Sequence, residues 1–167
     1  QFSLNGLDEN GSPDVDPEKY LTTEFGTRFN DSELSLELSG YYTFIKNGIV
    51  RIEDDMGGLA TTNGSEGFIY GFESQAIWNL HPQWRFLAHA SWQNGEQKIG
   101  GVADPIRRLN PLNGALDLRW TDSSDQYWIS GRIQAASRQN NLSKLAASDT
   151  QRIPVGGTPS YVVASFY

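Results

Sequence analysis

Apolar and polar residues alternate one by one through six stretches of this chain, and a seventh stretch begins near Ser160. Over about 33–52, Leu34, Leu36, Leu38, Gly40 and Tyr42 oppose Ser35, Glu37, Ser39, Tyr41 and Thr43. Over about 18–30, Leu21, Thr23 and Phe25 oppose Thr22, Glu24, Gly26 and Arg28. The stretch over about 66–79 sets Tyr70, Phe72, Ala76 and Trp78 against Gly71, Glu73, Gln75 and Ile77. Over about 83–96, Trp84, Phe86, Ala88, Ala90 and Trp92 oppose Arg85, Leu87, His89, Ser91 and Gln93. The last two, about 112–121 and 126–139, divide Leu116, Leu118, Trp120, Ile129 and Ile133 from Asp117, Arg119, Ser130, Arg132 and Arg138. A period of two predicts strands with unlike faces. The alternation breaks at Lys46-Asn47-Gly48, which predicts a bulge or rim. Helical spacing is present only weakly, over Asn141–Ser148.

The connections follow their own rhythm. Tight turns at Asn30–Glu33, Leu80–Gln83 and Thr121–Asp125 alternate with long loops over about 1–17, 54–66, 97–110 and 140–158. One end of the sheet therefore has short connections and the other long ones, as in an outer-membrane barrel. The strands predicted here run about 10–14 residues, where sandwich strands average about 5–6 and tilted membrane strands need about 9–11. Aromatic residues gather at both strand ends. Trp78, Trp84, Trp120 and Tyr127 flank the short turns, and Tyr42, Tyr70 and Trp92 lie toward the long loops. Amphipathic rings settle at headgroup level, so these read as two membrane belts. From Trp84 to Trp92 is eight residues, about 26 Å at ~3.3 Å each, close to the apolar band of ~25 Å.

The fold class predicted is therefore all-β, an antiparallel up-and-down meander of about seven long strands cut from a transmembrane barrel. Glu24, Arg28, Glu37, Glu73, Arg85, Asp117, Arg119, Arg132 and Arg138 would form a charged network facing the lumen. The same alternation also fits a soluble β-sandwich, such as a carbohydrate-binding module, with its apolar face turned to a core.

Composition narrows the function. The 167 residues are 38% hydrophobic with a mean hydropathy of −0.49, and no stretch approaches a transmembrane helix. In a barrel wall only alternate residues meet lipid, so low hydropathy does not oppose that reading. A net charge of −7 argues against a nucleic-acid partner. With no cysteine, a disulfide framework and a thiolate metal site are excluded.

Five short segments, in order, resemble the β-barrel of TonB-dependent outer-membrane receptors. They are Pro17–Arg28 (family pattern PE…E.G.R), Tyr41–Ile49 (YYTDIKDLI), Gly67–Glu73 (A.I.GFE), Asn110–Gly114 (P..PPLNG) and Arg152–Tyr161 (RIPPGGTPGY). Phe44 stands where the family pattern has Asp. The resemblance covers about 17–167. It implies a barrel of about 22 strands with an N-terminal plug, in the outer membrane of a Gram-negative bacterium. Such a receptor takes up iron chelates, haem or a similar scarce nutrient, energised by an inner-membrane TonB complex acting through the plug. On this reading residues 1–17 are an extracellular loop and 18–167 a partial barrel. The chain looks like a piece of a longer protein, because seven strands with open edges do not close. Expected partners are outer-membrane lipid, the plug and remaining barrel, and a small nutrient ligand.

No nucleophile elbow, phosphate-binding loop or dinucleotide fingerprint occurs, so no enzyme and no cofactor is expected. Arg107 and Arg108, in a long loop, could receive an anionic chelate or be a solvated rim pair. His89, on the polar face beside Arg85 and Gln93, is the third substrate-contact candidate. Its plainer reading is a hydrogen-bonding lumen residue. Asp8, Glu9, Asp14, Asp54 and Asp55 lack the spacing of a calcium loop and read as solvated acids. Glu24, Glu37 and Glu73 share a face, as a glycosidase pair would, but the interleaved arginines favour ion pairs.

Overall fold

The computed structural model describes residues 9–10, 15–53, 59–64 and 66–167. Among them lie β1 (Glu9–Asn10), β2 (Lys19–Asn30), β3 (Leu34–Lys46), β4 (Ile49–Glu53), β5 (Leu59–Asn63) and β6 (Glu66–His81). They are followed by β7 (Trp84–Ile99), β8 (Val102–Pro105), β9 (Asn113–Thr121), β10 (Trp128–Ala136), the short helix α1 (Lys144–Ser148) and β11 (Tyr161–Phe166). The sheet order β2-β3-β6-β7-β9-β10-β11 is an antiparallel meander, and it consists of the seven strands read from the alternation. The sheet is open, with β2 and β11 at its edges.

Register is what turns alternation into two chemically distinct faces. Directly opposed residues in an antiparallel ladder share a face, and a slip of one residue would invert every side chain. Phe29, Leu36, Ala76, Ala88, Leu116 and Ile133 form one transverse row. One residue along each strand, Arg28, Glu37, Gln75, His89, Ala115 and Gln134 form a row on the other face. The apolar face is left uncovered: Phe25 is 76% exposed, Ile133 52% and Leu116 49%.

That exposure disfavours the sandwich alternative. A sandwich buries the apolar faces of two sheets against each other. Among the described residues the only buried hydrophobic ones are Ile45, Val50, Ala115 and Ala146. Three of them, Ile45, Val50 and Ala146, lie at the long-loop end, away from the apolar face.

Two boundaries differ from the sequence reading. The stretch expected to run to residue 52 ends at Lys46. Asn47 adopts a left-handed backbone (φ 57°), and the chain leaves the meander rather than bulging within it. Asparagine tolerates this conformation because its short amide satisfies the local backbone. Beyond the break, β4 pairs with β5, and β1 adds in parallel to make a separate three-stranded sheet. Asn63 ties this unit back, its amide donating to Asn47 O (2.7 Å) and Asp16 O (2.9 Å). Likewise the loop expected at 97–110 is partly strand, since β7 continues to Ile99 and β8 folds back on it. The weak helical spacing over 141–148 does form α1, capped by the Ser143 hydroxyl, which accepts from Ala146 N at 3.1 Å. Much of the expected 1–17 and 54–66 loops, including Asp8, Asp14, Asp54, Asp55 and Gly57-Gly58, lies outside the described residues.

Two of the three short turns are closed by aspartates. Asp31 accepts the Glu33 and Leu34 N–H groups, both at 2.8 Å, and these bonds hold its carboxyl below the usual range. Asp122 accepts the Ser124 hydroxyl, the Tyr127 N–H (2.7 Å) and the Ser124 N–H (3.0 Å). The Ser124 hydroxyl, then the Tyr127 N–H, lower its pKa from 3.8 to about 2. A depressed carboxylate pKa stabilises the fold above the unfolded value, and the contribution is lost as pH falls through the folded one. The wild type should therefore be more resistant to unfolding than Asp122→Ala at pH 7. The difference should shrink between pH 3.8 and about 2, as read by denaturant midpoints in detergent.

Candidate functional site

The meander presents three zones: an apolar face, a polar face, and a set of loops and small strands above the long-loop end. Each draws on different residues from the sequence reading.

On the apolar face the aromatic residues assemble by register. Tyr42 faces Tyr70, Phe44 faces Phe68, and Phe72 faces Trp92. Their rings form a continuous array, with centroids 5.9 Å apart for Tyr42–Phe68, 6.1 Å for Phe68–Tyr70 and 5.5 Å for Tyr70–Trp92. Each such pair contributes about 0.5–1.5 kcal/mol beyond its buried area. At the opposite end Trp84 faces Trp120 and Trp78 faces Phe86, while Tyr127 sits in the turn before β10, 71% exposed. Two aromatic rows thus bracket an aliphatic band of Leu36, Leu116, Leu118 and Ile133.

On the polar face a hollow of about 610 Å³ is lined by Glu24, Arg28, Glu37, Glu73, Gln75 and His89, among others. Arg28 Nε pairs with Glu37 at 2.9 Å and Arg132 with Asp117 at 3.3 Å. The Arg28 pair is well exposed and is worth at most about 1 kcal/mol. Arg119 stands directly opposite Arg85 in the β7–β9 ladder and turns its guanidinium over the Trp128 ring, 4.5 Å from the centroid. Of the expected network, Arg138 stands apart. It lies beyond the end of β10 and donates to Gly156 O at 2.8 Å in the loop that leads to β11. The three glutamates do line one hollow, and one of them, Glu37, is engaged by Arg28.

One close approach on this face depends on the absence of a side chain. A Cβ on Gly71 would strike the Trp92 carbonyl oxygen and lie 2.7 Å from the Tyr41 hydroxyl oxygen. Tyr41 therefore lies across Gly71, its hydroxyl donating to Gln93 Oε1 at 3.2 Å.

At the long-loop end the polar face turns aliphatic. Ile45, Ile69 and Ile99 meet Ile49, Ile52 and Ile106 around a cavity of about 740 Å³, which Arg51, Arg107, Arg108 and Lys144 also line. The segment carrying Arg107 is tied down by Ile106 N–H to Gly95 O (3.1 Å) and by the Gln139 amide to Leu109 O (2.7 Å). Asp104, buried beneath, accepts the Lys144 N–H at 2.9 Å. Burial, then Arg108 and Arg51, push the Arg107 guanidinium below its usual range; Arg152 adds to this and Asp149 opposes it.

The three substrate-contact candidates do not converge. Arg107 and Arg108 stand together at this cavity, whereas His89 faces Gln75 and Ala115 in mid-sheet. His89 is seven residues along β7 from Glu96, which pairs with Pro105 just before the arginine segment, or about 23 Å at ~3.3 Å each. Arg51 and Lys144 were not singled out by sequence. They reach the cavity from β4 and α1, and no local spacing joins them to Arg107. One signal was legible: isoleucines at 45, 69 and 99 occupy polar-face positions toward the long-loop end, on a face that carries most of the sheet's charged side chains.

An open antiparallel sheet with one bare apolar face, aromatic rows at both ends and a charged opposite face defines a segment of a transmembrane β-barrel wall. The chain belongs to the TonB-dependent receptor family: the family described as "TonB dependent receptor-like, beta-barrel" matches residues 2–167. Members of this family are receptors and transporters rather than enzymes. Among solved structures, the copper transporter OprC superposes with a TM-score of 0.75 at 21% identity, covering 94% of this chain and 24% of that one. The FrpB iron transporter from Neisseria meningitidis gives 0.68 at 12% identity, with 93% and 24% coverage. The ferric-catecholate import receptor Fiu of E. coli gives 0.65 at 20% identity, with 96% and 23% coverage. The chain thus spans about a quarter of the length of the structures it matches. A comparison with curated proteins finds no significant match.

Gly71→Ala should destabilise the sheet by about 1–3 kcal/mol, because the Trp92 carbonyl is ladder backbone and cannot yield as a side-chain tip would. Urea unfolding in detergent micelles measures it, with Gly131→Ala as the control, since a Cβ there meets only Phe166 ring atoms at 3.5 Å or more.

Proposed function

We propose that this chain forms part of the barrel wall and outer loops of an outer-membrane, TonB-dependent transporter that takes up an iron chelate, haem or a similar scarce nutrient. The observation that carries the reading is the wall itself. An exposed apolar face running the width of a seven-strand sheet has no place in water, and bilayer lipid covers such a face in a barrel.

In this arrangement Trp78, Trp84, Trp120 and Tyr127 sit at the periplasmic interface, and Tyr42, Tyr70 and Trp92 at the outer one. The charged face looks into the lumen. There Glu24, Arg28, Glu37, Glu73, Arg85, Asp117, Arg119 and Arg132 would meet a plug domain, while Arg138 braces an outer loop. Arg107 and Arg108 contact incoming ligand at the outer mouth. His89, deeper, would touch it only in passage. Further strands pair with the edges of β2 and β11 to close the barrel, and the inner-membrane TonB complex acts through the plug. The long-loop end is extracellular and the aspartate-closed turns are periplasmic, as the family's sidedness implies.

Two measurements test this. The full-length receptor should fractionate with the outer membrane, run faster on a gel when unheated, and support nutrient uptake that is lost in cells lacking TonB; uptake that persists without TonB overturns the reading. Leu116→Arg, at the centre of the apolar band, should cost about 2–4 kcal/mol of folding stability in bilayers. Gln75→Arg, on the other face at similar depth, should change stability far less.

A further inference from the structure

The cavity at the long-loop end combines two chemistries that the rest of the polar face keeps apart. Its walls are aliphatic, through the six isoleucines named above, and its charge is positive. Arg51, Arg107, Arg108 and Lys144 are four of the thirteen cationic side chains in a chain of net charge −7. Among the described residues two carboxylates lie on its lining, and both already accept hydrogen bonds. Glu18 accepts the Ile49 N–H at 2.6 Å and the Tyr20 hydroxyl at 3.0 Å, and Asp104 accepts the Lys144 N–H.

Two details mark the arginine pair. Arg107 Nε is buried with no hydrogen-bond partner among the described residues. Buried donors are normally paired, so an orphan here calls for an acceptor that comes from elsewhere. Arg108 holds a left-handed backbone (φ 62°), a conformation that disfavours a long side chain and persists only where the surroundings impose it. Both arginines also border an adjoining hollow of about 250 Å³, in which Arg152 pairs with Asp149 at 3.5 Å.

We propose that this cavity binds a small organic anion with an apolar body, its acidic group held by Arg107 and Arg108 and its body packed against the isoleucines. The inference rests on the transporter reading for which way the cavity faces, and it narrows the substrate class. A cavity of about 740 Å³ suits one small molecule, since ligand sites span about 300–1,000 Å³. An Arg fork grips a carboxylate, sulfonate or phosphate with two parallel bonds. A cationic ligand meets like charge here, and a bare inorganic anion leaves the aliphatic wall unused.

The test uses the full-length receptor in nanodiscs of zwitterionic lipid, with empty nanodiscs as blank. Two fluorescent probes differ only in charge: 8-anilinonaphthalene-1-sulfonate, and N-phenyl-1-naphthylamine, which lacks the sulfonate. Wild-type protein should bind the sulfonate probe at least about tenfold more tightly than the neutral one, and added salt should weaken only the former. Arg108→Gly keeps the backbone conformation, because glycine accepts positive φ. It and Arg107→Gln should each weaken sulfonate binding several-fold while leaving the neutral probe unchanged. Equal binding of both probes to wild type, or loss of both probes together in Arg108→Gly, overturns the proposal. Binding needs neither TonB nor energy. A receptor that transports but fails this test loses only the substrate class, and one that passes it but transports without TonB loses only the wider reading.

Discussion

The structure depends on the backbone ladder and the register it enforces. In membrane β-barrels generally, hydrocarbon offers no water to satisfy N–H and C=O groups, so strands there must pair fully with their neighbours. Pairing in one register places Leu36, Ala76, Ala88 and Leu116 in a single row, and the offset row collects Glu37, Gln75 and His89. The faces differ because the ladder is in step, and a one-residue slip anywhere would put charge among the leucines. The tight turns guard this. Asp31 and Asp122 gather the free N–H groups of their turns and set where the following strand starts.

The long-loop end obeys a different logic. There the chain has room to leave the sheet, and it does so at Asn47, whose left-handed backbone sends β4 away from β3. The excursions return in a fixed arrangement because polar side chains stitch them down, with Asn63 holding β5, Asp104 holding α1 and Gln139 holding the arginine segment. What they enclose gathers isoleucines from the meander, from β4 and from the segment after β8, cations from β4, α1 and that segment, and carboxylates that accept backbone N–H groups from distant parts of the chain.

Much of the wall was legible because its signal is local. Seven strands, their faces and the short turns follow from a period of two and from turn residues, both readable within a dozen positions. The short helix over 144–148 was faintly legible for the same reason. The misreadings fall where a local pattern meets a non-local partner. Ile49–Glu53 continues an extended pattern, and only its pairing with β5 shows that it belongs to another sheet. Arg138 carries the right parity for the polar face, yet the strand ends before it and Gly156 supplies its partner.

By itself the sequence determined that this chain forms a two-faced antiparallel sheet with unequal ends, and its ordered motifs resembled the family to which it belongs. Alternation, strand length and turn chemistry are properties of neighbouring residues, so they survive without knowledge of the fold. Only the tertiary structure decided that the apolar face is uncovered rather than packed in a core, that His89 stands far from Arg107 and Arg108, and that Arg51 and Lys144 join those arginines. Residues 51, 107 and 144 are separated by long stretches of chain, and only strand pairing and loop docking bring them to one cavity.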